Sequence, residues 1–159
     1  MISDLLQENV QDYPRPPALE AVTQVLRVVL GGMTIAETRA GFRVLETHHA
    51  PTYYFPPQDV AAGVLTAAQG TSYCEWKGAA RYWSVSAGGV RRQRAAWSYA
   101  RPSEDFAPLA GYLAFYAEPM EACYVGRHKV LPQPGSFYGG WVTENLRGEI
   151  KGAPGTERW

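Results

Sequence analysis

The stretch LRVVLGGMTIAE, from Leu26 to Glu37, decides the fold. Leu26–Leu30 is aliphatic and β-branched, Gly31-Gly32 is a two-residue turn signal, and Met33–Glu37 returns with a period of two. That combination predicts a β-hairpin. Working outward, Ala40-Gly41 leads into a strand over Phe42–Thr47, where alternation puts Glu46 on the face of Phe42 and Val44. Tyr53–Phe55 extends until Pro56-Pro57 ends it, and a short helix is expected through Val60–Leu65. Ala79–Val85 and Gln93–Tyr99 read as strands with Gly88-Gly89 near their tip. Leu109–Ala117 and Glu121–Val125 read as another pair turning at Glu118-Pro119. Upstream, Ile2, Leu5, Leu6 and Val10 have helical spacing behind Ser3 as N-cap, until Tyr13-Pro14-Arg15-Pro16-Pro17 stops the helix. Beyond Leu131, Gly and Pro predict a loop running round the body. The expected organisation is an N-terminal arm (1–24), a β core (25–125) and a C-terminal extension packed on the core (126–159). The fold class is mainly β, one domain with one or two short helices, its sheets closed or strongly bent to protect their edges.

Bulk properties narrow the function. A chain of 159 residues suits one domain and needs no disulfide or metal staple. Fifteen basic residues balance fifteen acidic ones, which argues against a nucleic-acid partner. No segment approaches the roughly 18 apolar residues of a membrane helix, and the N-terminus lacks the basic region of a signal peptide. A cytoplasmic protein is expected. Cys74 and Cys123 are far apart and fit no paired metal spacing, so no metal is expected; they read as two reduced, partly buried thiols, with a single disulfide as the alternative.

The chain carries a dense polar-aromatic region: ETHHAPTYYFPPQDV from Glu46, TSYCEWKGAARYWS from Thr71 and AWSYARP from Ala96. Gly31-Gly32 with Ala36, Leu45-Glu46-Thr47, Pro51 with Tyr53-Tyr54-Phe55-Pro56 and Asp59-Val60 resemble a widespread prokaryotic family. So do Cys74, Trp76-Lys77-Gly78, Ala80 and Tyr82-Trp83; Ala96-Trp97-Ser98-Tyr99 with Pro102; and Gly111-Tyr112 with Ala114-Phe115-Tyr116. This is the domain of unknown function family 427, sometimes labelled a nucleotidyltransferase domain. Gly139 to Thr143, with Lys151-Gly152 and Pro154 to Thr156, resembles the tail of longer members. The resemblance implies two bent antiparallel sheets in a β-tent, similar to methionine sulfoxide reductase B and the cereblon ligand-binding domain. Relatives of that fold often hold zinc through two Cys-x-x-Cys pairs, which this chain does not have. Nor does it contain an Asp-x-Asp pair or a glycine-rich phosphate loop of the kind nucleotidyl transfer uses.

Aromatic walls with a few polar groups are the makings of a small-molecule pocket. Glu46, Tyr54 and Lys77 are candidate catalytic residues, with Glu46 as base or hydrogen-bond acceptor and Lys77 holding an anionic group. The alternative for Glu46 and Lys77 is a structural pair tying strands together. Trp76, Tyr82, Trp97 and Tyr99 are expected to stack on a ligand. Trp83 faces away from Tyr82, so these rings cannot all line one pocket. Adjacent His48 and His49 point apart on an extended strand and cannot readily chelate one ion; His48 is the one expected at the pocket mouth. Cys74 is either a thiol activated by Lys77 or an inert buried one. Arg91, Arg92 and Arg94 form a basic hairpin end that contacts phosphate or is simply solvated. The function expected is small-ligand binding with or without catalysis, with no cofactor. A protein-interaction module and a nucleotidyltransferase are the alternatives, and the N-terminal arm is a candidate homodimer contact.

Overall fold

A computed structural model describes residues 5–74, 76–135 and 137–156. Its strands are, in chain order, β1 (Glu8–Asn9), β2 (Ala18–Ala21), β3 (Leu26–Leu30), β4 (Met33–Thr38), β5 (Phe42–Leu45), β6 (Thr52–Tyr54), β7 (Leu65–Cys74) and β8 (Gly78–Ala87). They continue as β9 (Val90–Ser98), β10 (Leu113–Phe115), β11 (Ala122–Val125), β12 (His128–Lys129), β13 (Leu131–Pro132), β14 (Trp141–Val142) and β15 (Leu146–Arg147). Two four-stranded antiparallel sheets dominate, ordered β10-β9-β8-β7 and β12-β11-β3-β4, with a three-stranded sheet β2-β5-β6 beside them. The protein is thus mainly β, and none of its sheets closes into a barrel. Helical structure among the described residues is limited to short 3-10 segments at Val10–Asp12, Pro57–Asp59 and Glu104–Leu109.

The hairpin of β3 and β4 forms around Gly31-Gly32. Both glycines have positive φ, a conformation that suits the turn and is strained for side-chain-bearing residues. Gly31 also meets Gly88 at the tip of the β8–β9 hairpin. A Cβ on either would lie 2.0–2.1 Å from a carbonyl oxygen of the other hairpin, so the two sheets touch through bare backbone.

The β7–β10 sheet carries an apolar cluster on each face, although β7 and the Arg91–Arg94 part of β9 are largely exposed. One side meets β3, β4 and β11 in the main core, where Leu26, Val28, Leu30, Phe55, Val85, Phe115 and Val125 are almost fully buried. The other side carries Ala80, Trp97, Tyr99 and Ala114 against Val44 and Tyr54. Strand alternation does the sorting: Trp83 packs toward the first cluster and Tyr82 toward the second.

Several local expectations give way to tertiary pairing. The N-terminal helix is replaced, within the described residues, by β1, which pairs in parallel with β15, and by one 3-10 turn capped by the Asn9 side chain; its proposed cap, Ser3, lies outside the described residues. The arm is bound to its own domain. Arg43 donates to both carboxylate oxygens of Glu8 at 3.0 and 2.8 Å, and the Tyr13 hydroxyl donates to Glu8 at 2.5 Å. Burial alone would raise the Glu8 pKa, but these donors hold it below the usual value.

The helix expected over Val60–Leu65 is a 3-10 turn at Pro57–Asp59, because Ala61 N–H is already committed to Ile35 C=O at 2.7 Å beside β4. Leu109–Ala117 and Glu121–Val125 do not pair with each other. β10 adds to β9 and β11 adds to β3, so Glu118-Pro119 crosses between sheets. The chain after Leu131 is more than a wrapping loop, since Trp141 sits in the main core at 1% exposure and donates from Nε1 to Phe115 C=O at 2.8 Å.

Candidate functional site

The ring-bearing face of the β7–β10 sheet forms the floor of a cleft of about 320 Å³. Cross-strand register aligns Tyr82 with Trp97 and Trp97 with Ala114, so two large rings stand side by side with a small buried residue next to them. Tyr99 follows Trp97 on the same face. Mutual hydrogen bonds between Phe55 and Leu113, both 2.8 Å, bring β6 against β10 and place Tyr54 in the same cluster. The turn between β7 and β8 adds Trp76 and Lys77, pinned where Ser103 bonds the carbonyls of both residues.

Glu46, Tyr54, Trp76, Lys77, Tyr82, Trp97 and Tyr99 all line this cleft. Glu46 reaches it differently from the sequence-based expectation. β5 ends at Leu45, with Val44 and Leu45 both buried, and Glu46 stands in the turn that follows. Among the described residues its carboxylate pairs with Arg15 at 3.8 Å and His49 at 4.0 Å. Lys77 is only 9% exposed, and its ammonium lies 5.8 Å from the ring centres of both Tyr99 and Phe106. Aromatic faces at that range favour a cation.

His48 is not among the lining residues; His49 is. The reason is backbone geometry. His48 adopts φ 66, which breaks the extended alternation and turns its neighbour inward. His49 Nδ1 lies 3.3 Å from Gln133 Nε2, which also donates to Lys151 C=O at 2.9 Å. Burial, then the charges of Lys151, Arg15, Lys77 and His48, push the His49 pKa down to about 4. A neutral ring with Nδ1 accepting from Gln133 carries its hydrogen on Nε2, toward Glu46.

The far wall comes from the C-terminal extension. It supplies Gln133, Phe137, Tyr138, Gly139, Gly140 and Lys151. Gly139 lies so close to Trp97 that a Cβ there would sit 2.0 Å from the indole edge. The Gly139-Gly140 pair was the one visible signal of this close approach.

Burial raises the pKa of Tyr54 and Tyr99, so both remain neutral hydroxyls. The Tyr54 hydroxyl is buried beside Trp97 and Tyr99 and makes no hydrogen bond of ordinary geometry among the described residues. Cys74 also lines the cleft as a free thiol, whereas Cys123 is buried in the main core and pushed up to about 12 by that burial. Among the described residues no group of three or more His, Cys, Asp or Glu is gathered as a metal site requires. Nor is any helix long and apolar enough to cross a membrane.

Residues 18–126 match the family described as "Domain of unknown function (DUF427)". The chain belongs to this family. No curated protein matches it. The family match covers the floor of the cleft, from β2 to Gly126, whereas Gln133 to Gly140 and Lys151 lie beyond it.

Proposed function

We propose that this domain binds a small planar molecule carrying an anionic group. The observation that carries the proposal is the meeting of Lys77 with Trp76, Tyr82, Trp97 and Tyr99 in one cleft that Tyr54 also lines. The rings supply stacking surface, Lys77 and Lys151 face the anion, and Glu46 accepts a hydrogen bond or a proton from the ligand. Its volume of about 320 Å³ is at the lower end of known ligand pockets. The two free thiols favour a cytoplasmic setting for this activity. We favour ligand binding over a dimerisation role for the arm, whose polar groups at Glu8 and Tyr13 are occupied within its own chain.

Thermal unfolding with a panel of aromatic carboxylates and aryl phosphates tests the proposal. A ligand at about 100 times its Kd stabilises by about 2.7 kcal/mol, or roughly 5–10 °C for a domain of this size. Lys77→Met keeps the apolar stem and Glu46→Gln keeps the shape, so both should fold normally and lose that shift. A panel that stabilises nothing, or variants that keep the full shift, would refute the proposal.

A further inference from the structure

The cleft does not end at Tyr82. A second cavity of about 320 Å³ opens alongside it, bounded by Arg94, Glu118, Pro119 and Pro132. Tyr82, Tyr116, Gln133, Phe137, Tyr138 and Gly140 line both cavities, which therefore adjoin beside the C-terminal extension, and we treat them as two lobes of one groove. Phe137, 71% exposed, lines both cavities and meets the Tyr138 ring edge-on at 5.3 Å.

The second lobe has its own cation, aimed by a backbone irregularity. Between the register pairs Trp83–Ala96 and Val85–Arg92, β8 contributes only Ser84, while β9 contributes Gln93, Arg94 and Ala95. Arg94 sits in this bulge with φ 48, and its N–H lies 3.3 Å from the buried Ser84 hydroxyl. Bulges next to functional sites commonly re-aim a side chain, and a non-glycine residue is held at such a φ only where its surroundings demand it. Here the guanidinium lands 4.2 Å from the centre of the Tyr82 ring. Tyr82 itself is fixed by a 2.8 Å bond between its hydroxyl and Ser72. Arg94 is exposed, as Arg91 and Arg92 are, but its guanidinium lines the second cavity and lies over Tyr82.

We propose that the ligand of this groove carries two separated anionic groups. A planar body lies on Tyr82 and Trp97, one oxyanion faces Lys77 and Lys151 in the first lobe, and a second oxyanion, a carboxylate or a phosphate, meets Arg94 in the second. This deepens the proposed function and rests on the first lobe being the ligand site. Glu118 on the rim of the second lobe disfavours any anion that does not engage the guanidinium directly.

Three probes test it on the full chain by isothermal titration, with amide NMR shifts to locate each: biphenyl-4-carboxylate, biphenyl-4,4'-dicarboxylate and 4'-phosphonobiphenyl-4-carboxylate. At least one two-acid probe should bind about tenfold more tightly than the monoacid, and whichever gains more identifies the second oxyanion. Arg94→Asn, which tolerates positive φ, should erase that gain, read as the ratio of two-acid to monoacid affinity within the same variant; Arg94→Gly repeats the test if Asn perturbs folding. A monoacid that binds beside Lys77 with no gain from the second acid overturns this inference alone. A gain that survives both Arg94 variants overturns it too. Failure of all three probes to shift any amide lining the first lobe overturns it together with the function it rests on.

Discussion

The pH dependence of stability should single out His49. Its pKa is pushed from 6.5 to about 4 by burial and by neighbouring Lys151, Arg15, Lys77 and His48, while Glu46 opposes them from 4.0 Å. Above pH 6.5 the ring is neutral in both folded and unfolded chains and contributes no pH dependence. Below it, the unfolded chain takes up a proton that the folded chain refuses until about pH 4, so stability falls as pH falls through that window. The loss is about 2 kcal/mol at pH 5 and about 3 kcal/mol at pH 4. Urea midpoints at pH 7.5, 6.5, 5.5 and 5.0 for the natural chain and His49→Gln provide the assay. The variant starts less stable, having lost its ring contact with Tyr138, but its profile should be flatter over this range. Stopping at pH 5 limits interference from Glu8, whose lowered pKa removes stability at more acid pH. Parallel profiles for the two proteins, or an NMR titration of His49 centred near 6.5, would refute the reasoning.

Two further predictions concern the C-terminal extension. Trp141→Ala should cost about 3–5 kcal/mol by urea unfolding, because it empties a site packed against Tyr53 and Phe55 and strands the Phe115 carbonyl. For the same reason, a fragment ending at residue 126 should show no cooperative unfolding, even though it retains the whole family match. Gly139→Ala should cost about 1–3 kcal/mol and shift the Trp97 indole N–H resonance, since the new methyl group and the ring cannot share that space. An unchanged Trp97 resonance would show that the extension does not close on the floor.

The strands legible in the sequence were those with strong local chemistry. Gly31-Gly32 and Gly88-Gly89 supply positive φ where a reversal needs it, and the residues around them alternate or carry β-branches. β7 was missed over most of its length because LTAAQGTSYC has little intrinsic strand preference. Its ten residues become a strand by pairing with β8, with a register shift between Ala67 and Thr71. The same limit applied to β10 and β11, whose β character was readable but whose partners were not. Nothing local distinguishes a hairpin from two strands that each extend a different sheet.

For the candidate site, the sequence by itself determined the chemical inventory and one geometric rule. Trp76, Lys77, Tyr82, Trp97 and Tyr99 are concentrated in it, and a period of two separates Tyr82 from Trp83 on any strand. Tertiary structure decided which of these groups meet and what closes over them. A single left-handed residue at His48 brought His49 rather than its neighbour to the cleft. A bulge aimed Arg94 across Tyr82, and Gly139 allowed a distant segment to lie on Trp97. Each of these depends on a backbone dihedral or a close approach between residues remote in the chain. Local composition does not encode either one, because the energy that holds them comes from contacts that exist only once the sheets have packed.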